Sequence, residues 1–431
     1  MTSTAQLYHK FLECTSVSTD TRKILPACLF VALKGPAFDG NQFAADALAK
    51  GARYAVVDDP AVAASDQRCL LVDDGLTALQ DLARYHRRTL TIPVVAMTGS
   101  NGKTTTKELI AAVLSKRYKT YATLGNFNNH IGVPLTLLSI RGDGDDRYEM
   151  AVIEMGANHQ QEIALLCSIA EPTHGMITNI GKAHLEGFGG VEGVRKGKGE
   201  LFDWLAKSGG TVFVNAQDAT IMAMKEERSF KEVVTYLTDG PTLLDETPVV
   251  VYRDAAGHEV KTHLPGRYNF DNMAAALAIG AYFGVTSEEA NRAVADYNPT
   301  NNRSQVVHKG SNTILLDAYN ANPSSMAAAI RQFMNLPAER KAVILGDMYE
   351  LGPESEAEHA ALGELVATGK FDLVILAGKD MKYALPALPK AYFFPDKFSL
   401  HNWIMDYPFE NTHILIKGSR GMGLETVVPF I

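Results

Sequence analysis

Apolar residues along the chain fall into short unbroken runs, separated by longer stretches in which they recur every three or four positions. Unbroken runs read as strands buried on both faces, and the longer period reads as helices packed against them. In residues 1–88 the runs Cys28–Ala32, Tyr54–Val57 and Leu70–Val72 alternate with helical stretches Asn41–Lys50 and Gly75–Arg88. From 89 to 300 the predicted strands are Ile92–Met97, Glu149–Met155, His174–Ile180, Thr211–Asn215 and Val233–Leu237. Pro248–Arg253 with Val260–Leu264 is predicted to form a hairpin, and an alanine-rich helix follows to about Tyr282. From 301 to 431 the strands Thr313–Asp317, Lys341–Leu345, Leu373–Ala377 and Ile414–Lys417 alternate with helices Ser324–Phe333, Glu356–Thr368 and Leu400–Tyr407. Such alternation implies mostly parallel, doubly wound sheets, and 431 residues are too many for one core. The expectation is therefore an α/β chain of three domains, 1–88, 89–300 and 301–431. Ligands of such sheets bind beyond the carboxyl ends of the strands.

The stretch Val94 to Thr106, VVAMTGSNGKTTT, carries the sharpest chemistry. A buried strand breaks at Gly99 and a helix begins around Gly102-Lys103-Thr104. Backbone N–H groups of Gly99, Ser100, Asn101, Gly102 and Thr105 would face a phosphate, Lys103 would neutralise it, and the Thr104 hydroxyl would ligate Mg²⁺. Met97 stands where the usual P-loop pattern has its first glycine. The central domain is thus expected to be a P-loop nucleotide-binding domain, with a Rossmann-like doubly wound domain after it.

Composition narrows the class. With 46% hydrophobic and 21% charged residues the chain is an ordinary globular protein. A formal charge of −8 without a basic face argues against nucleic-acid binding. The four cysteines have no metal-binding spacing, which suits a reducing cytoplasm. No signal peptide or membrane span is expected, and a monomer is.

Several residues keep two readings on sequence alone. Asp20, Arg22 and Asp39 lie in polar turns, so they contact a ligand or merely close those turns. Asn128 and Asn129 sit in an amide-dense loop that faces a ligand or satisfies itself. Glu154 ends a buried strand next to the phosphate loop, the place for a Mg²⁺ ligand or for a salt-bridge partner. His184 is a ligand or a satisfied loop histidine. Lys198, on a helix with Arg195, Lys196 and Glu200, reads most simply as a solvated lysine. Asn269 and Asn272 share one helical face, offering amides to a purine or capping the turn. The loops after the last domain's strands, holding Asn320 and Asn322, Gly346-Asp347-Met348 and Lys417-Gly418-Ser419-Arg420, are expected to face one cleft.

Three blocks, Thr-Gly-Ser-Asn-Gly-Lys-Thr-Thr, Gly-Arg-Tyr-Asn-Phe-Asp-Asn and Asn-Asn-Arg with the following Asp317, resemble the Mur ligases, the ATP-dependent amide-forming family of peptidoglycan synthesis. The resemblance spans essentially the whole chain, and that family also lacks the first P-loop glycine. Thr19-Asp20-Thr21-Arg22, Phe38-Asp39-Gly40, Ala183–Gly189 and Asp317–Met326 resemble the branch that adds D-alanyl-D-alanine to UDP-N-acetylmuramoyl-tripeptide. The branch that adds the third amino acid is similar in the first domain. Its diaminopimelate-type members usually carry Asp-Asn-Pro-Arg, where this chain has Ala321-Asn322-Pro323-Ser324.

The resemblance implies ATP and two Mg²⁺ ions. Lys103 and Thr104 would hold the β- and γ-phosphates and metal, and Glu154 and His184 would ligate metal. Lys198 matches the lysine that CO₂ converts to a metal-binding carbamate, so Lys103, His184 and Lys198 would be catalytic. Asn269 and Asn272 match adenine-side amides, and Arg303 and Asp317 match late nucleotide contacts. The first domain, with Asp20, Arg22 and Asp39, would grip the UDP end of the substrate, and Asn128, Asn129, Asn320 and Asn322 would line the rest. Competing readings are a sibling ligase, adding the third amino acid or glutamate to folate, and a nucleotide-binding regulator without turnover.

Overall fold

The structure is a computed structural model and describes residues 1–141 and 147–431. The first unit holds a parallel four-stranded sheet ordered Val17–Ser18, Leu29–Val31, Tyr54–Val57, Cys69–Leu71. Helices Thr4–Leu12 and Gly75–Thr89 begin at capping residues Ser3 and Asp74, whose side chains accept the Gln6 and Thr77 amides.

The central unit is built on a six-stranded parallel sheet in the order Glu232–Tyr236, Thr211–Asn215, His174–Ile177, Val94–Thr98, Met150–Glu154, Thr120–Ala122. Val94–Thr98 lies in the middle, and the chain leaves it in one direction for Thr120–Ala122 and later returns on its other side at His174–Ile177. That reversal of strand order opens a crevice at the strand's carboxyl end. Val94 and Ala96 belong to one apolar core, while Val95 and Met97 belong to the core under helix Arg267–Tyr282. Both faces are therefore buried, and this is why the strand reads as an unbroken apolar run.

The third unit has a six-stranded sheet ordered Gln305–Lys309, Asn312–Asp317, His413–Lys417, Lys341–Gly346, Leu373–Ala377, Tyr392–Phe394. Only its first pair is antiparallel. The two outer strands escape a reading by apolar runs because solvent reaches one or both of their faces. The expected hairpin is really the pair Val251–Arg253 and Glu259–Lys261, joined by a third strand, Thr242–Asp245. Among the described residues no helix is long and apolar enough to cross a membrane.

His174 opens the strand beside Val94–Thr98, packed within 4.9 Å of the Phe283 ring and 5.4 Å of the Tyr282 ring. Burial pushes its imidazole down to about 4, against the opposing pull of Glu232. The fold therefore holds the neutral ring. Its contribution is complete above the unfolded value near 6.5 and is lost as pH falls from there through about 4. Relative to His174→Gln, the unmodified chain is expected to lose up to about 3 kcal/mol between pH 7 and 4. Denaturant midpoints of the two proteins across that range check this, and parallel curves would exclude His174 as the cause.

Candidate active site

The phosphate loop leaves its strand at Thr98 and enters helix Lys103–Leu114. Gly99 has φ +144°, and a Cβ there would lie 2.0 Å from Thr178 Oγ1. Gly102 has φ +80°, and a Cβ would lie 2.7 Å from Asn272 Oδ1. Only glycine fits either position. The loop is pinned from the neighbouring strand end: the Asn101 amide donates to Asn179 Oδ1 at 3.1 Å, and the Gly181 amide to Ser100 Oγ at 2.8 Å. Asn179 escaped the sequence reading because it resembles the tail of an apolar strand.

Lys103 folds back on its own loop, donating to the Gly99 and Ser100 carbonyls at 2.7 and 3.2 Å. Burial lowers its amine to about 8, with Glu154 opposing and Arg303 reinforcing the shift. Beside it, Thr104 is 4% exposed and its Oγ1 has no hydrogen-bond partner. Glu154 is 2% exposed; Oε1 accepts Asn128 Nδ2 at 2.9 Å, and Oε2 has no partner. Two buried oxygens left unsatisfied at one site are what a hard cation such as Mg²⁺ would fill. Among the described residues no three His, Cys, Asp or Glu side chains form a metal cluster. A cation here would thus rely on few protein ligands, as Mg²⁺ at phosphates does.

Lys198 is not a solvated lysine. It is 1% exposed, donates to the Ala157 carbonyl at 2.9 Å, and sits 4.9 Å from the Phe188 ring centroid. Burial drives its amine well below the ordinary lysine range, and Lys103 adds to that. The signal in the sequence was the spacing of Gly193 and Gly197. A Cβ on Gly193 would lie 1.8 Å from the Phe188 carbonyl oxygen, and one on Gly197 2.4 Å from the Phe188 ring, so this helix seats tightly enough to bury Lys198. Lys198 does not itself line the cleft, whereas Ala157 and Glu162 do.

The cleft has a volume of about 780 Å³ and is walled by the central and third units. It collects Ser100 to Thr105, Asn128, Asn129, Glu154, His184, Asn269, Asn272, Arg303, Asp317, Asn320 and Asn322. Several of these are already engaged. Asn129 Oδ1 accepts the Ile131 and Gly132 amides, as the turn reading has it. Asn269 Nδ2 donates to Pro265 O at 2.7 Å, and Asn272 Oδ1 accepts Thr106 Oγ1 at 3.0 Å. Asp317 accepts the Ser304 amide and, at 2.6 Å, buried Lys417. The Asn320 side chain accepts the Ala321 amide. Asn322 caps helix Pro323–Asn335 and donates to Asn101 Oδ1 at 2.7 Å, joining the third unit to the phosphate loop. His184 Nδ1 pairs with Glu350, and Lys182 with Glu358, across the same join. Glu350, also in the cleft, carries no local signal, since its partner His184 is distant in sequence, whereas Tyr319, Lys417 and Arg420 lie in stretches expected to face the cleft.

A smaller cavity of about 370 Å³ adjoins, sharing Asn179, Tyr268 and Asn272 with the cleft. Asn215, Gln217 and Asp271 also line it, and burial raises the Asp271 carboxyl to about 6. Asp20, Arg22 and Asp39 lie outside both cavities. Arg22 pairs with Asp20 at 2.8 Å, and Asp39 accepts the Asn41 amide at 2.9 Å, so here they close turns.

Comparison with known proteins bears on this arrangement directly. Family models match in three consecutive segments: the Mur ligase family catalytic domain at residues 13–87, the Mur ligase middle domain at 97–280, and the Mur ligase glutamate ligase domain at 302–420. The chain belongs to the Mur ligase family. Within that family it is 38% identical to the UDP-N-acetylmuramoyl-tripeptide–D-alanyl-D-alanine ligase of Escherichia coli, over 96% of this chain and 92% of that one. It is 36% identical to the enzyme of the same name from Bacillus subtilis, with the same coverage. Among solved structures, MurF from Acinetobacter baumannii superposes with a TM-score of 0.84 at 30% identity, covering 99% and 98% of the two chains. MurF ligase from Thermotoga maritima, solved in complex with ADP, gives 0.83 at 25% identity, covering 97% of each.

Proposed function

We propose that this Mur ligase joins D-alanyl-D-alanine to UDP-N-acetylmuramoyl-tripeptide at the expense of ATP, in the cytoplasm. The observation that carries the reading is the cleft itself. Half-buried Lys103 and the unpartnered oxygens of Thr104 and Glu154 stand on one wall, and the loops of a second α/β unit stand on the other. Support for the particular substrates comes from the near-full-length similarity to ligases named for that reaction.

An amine does not displace oxide from a carboxylate at neutral pH, so the carboxylate must first be activated. Its oxygen attacks the γ-phosphorus of ATP and ADP leaves, giving an acyl phosphate. The dipeptide amine then adds to that carbonyl, phosphate departs, and the amine's proton is lost. Lys103 sets positive charge where two anions must approach, and the loop amides orient the phosphates. Thr104 and Glu154 would hold Mg²⁺, which when bound offsets the charge on the phosphate oxygens. A second ion would fall to His184 and to a carbamate on Lys198. Burial favours the neutral form of that amine, the form that takes up CO₂, and a carbamate would turn the buried amine into an oxygen ligand. Asn272 borders both the cleft and the smaller cavity, and Asn269 borders the cleft beside it, so the smaller cavity is assigned to the adenine base. Arg303 and Asp317 complete the nucleotide side. Residues 1–88 hold the UDP end, 89–300 the ATP, and 301–431 the incoming dipeptide.

ADP release is expected with UDP-N-acetylmuramoyl-tripeptide only when D-alanyl-D-alanine is added. Faster release with diaminopimelate and the UDP-muramoyl-dipeptide, or with glutamate and folate, would overturn the assignment. So would ATP binding without turnover on any pair.

A further inference from the structure

Among the described residues, several basic side chains that line the cleft are committed to near neighbours. Lys103 is held by two carbonyls, Lys417 by Asp317, and His184 by Glu350. Arg420 is held more loosely: its side chain is 59% exposed, and its nitrogen Nη1 reaches Glu425 at 3.5 Å, the long edge of a hydrogen bond. Its guanidinium carbon lies 5.0 Å from the Tyr319 ring centroid, and that of Arg303 lies 3.6 Å from the same ring. Two like charges gathered on one ring repel unless anions come between or beside them. Arg303 belongs to the nucleotide side, and its Nε is buried without a partner. Arg420 stands on the third unit's last loop, beside the acceptor's expected path.

We propose that Arg420 binds the C-terminal carboxylate of the incoming dipeptide, an inference that rests on the function proposed above. The acceptor must carry a carboxylate into a cleft that already holds a triphosphate and an acyl group, and an unpaired anion there is costly. A guanidinium fork matches a carboxylate with two parallel hydrogen bonds. Packing on Tyr319 limits how far that fork can swing, so less freedom is lost on binding. Acceptors with a charged terminus are thereby favoured over neutral ones.

The test compares D-alanyl-D-alanine with D-alanyl-D-alaninamide, which keeps the nucleophilic amine and lacks the carboxylate. Wild-type enzyme is expected to prefer the acid. Arg420→Met should raise the KM for the acid roughly tenfold to a hundredfold, and leave those for the amide, ATP and the UDP substrate within about twofold. Arg420→Lys should fall between, and serves as the second variant if Arg420→Met fails to melt cooperatively. A rise in the ATP KM instead would make Arg420 a phosphate clamp and overturn the proposal. Equal weakening of acid and amide, or no change, would do the same. If wild-type ADP release does not depend on the dipeptide at all, it is the proposed function that fails.

Discussion

Replacing Lys103 by alanine is expected to lower turnover roughly a thousandfold, while affinity for the UDP substrate stays within about twofold. Lys103 lines the cleft while folded back on the carbonyls of its own loop, and burial, reinforced by Arg303, lowers its amine to about 8. Among the described residues no other ammonium group in the cleft is placed to replace it: Lys417 is bound to Asp317 in the third unit. The groups assigned to the UDP end, Asp20, Arg22 and Asp39, lie in the first unit and touch neither cavity. Calorimetric titration with UDP-muramoyl-tripeptide, beside ADP release, checks both halves. If binding and turnover are lost together in a protein that still melts cooperatively, the division of labour between the units is wrong.

Lys198→Ala is expected to cost roughly a hundredfold or more in turnover without abolishing folding. Adjacent Lys196, which is exposed, should tolerate alanine almost silently. A buried lysine also supports structure through its bond to Ala157, so loss of activity alone does not separate ligand from strut. Small carboxylates do. Acetate or formate should partly restore Lys198→Ala by supplying the oxygen that the carbamate would have held. Near-normal turnover of the variant in CO₂-free buffer would return Lys198 to a purely structural role.

How much of this was legible depended on how local each signal is. Strand Val94–Thr98 announces itself because both its faces are buried, and the loop after it because glycine is required twice within four residues. Thr242–Asp245 was missed because it is short and largely exposed, with no run or alternation to betray it. Lys198 misled because charge on a helix usually means solvent, whereas its burial is set by glycines four residues apart packing on Phe188. Pairs such as His184 with Glu350 and Asn101 with Asn322 join residues far apart in the chain, and no window of sequence contains both. Asp20 and Arg22 fit a ligand and a turn equally well by composition, and in the structure they make the turn.

The crowding around Gly99 bears on how the enzyme could escape an inhibitor. Any side chain at 99 runs into Thr178 Oγ1 and crowds the backbone nitrogens of 178 and 179, at a φ that favours glycine, so a smaller residue at 178 does not by itself make room. Gly102 is constrained in the same way by Asn272. A compound that grips the peptide groups of this turn, rather than the side chains around it, would face a surface that no single substitution at either glycine reshapes while keeping the turn intact. Resistance would therefore have to arise away from those two positions.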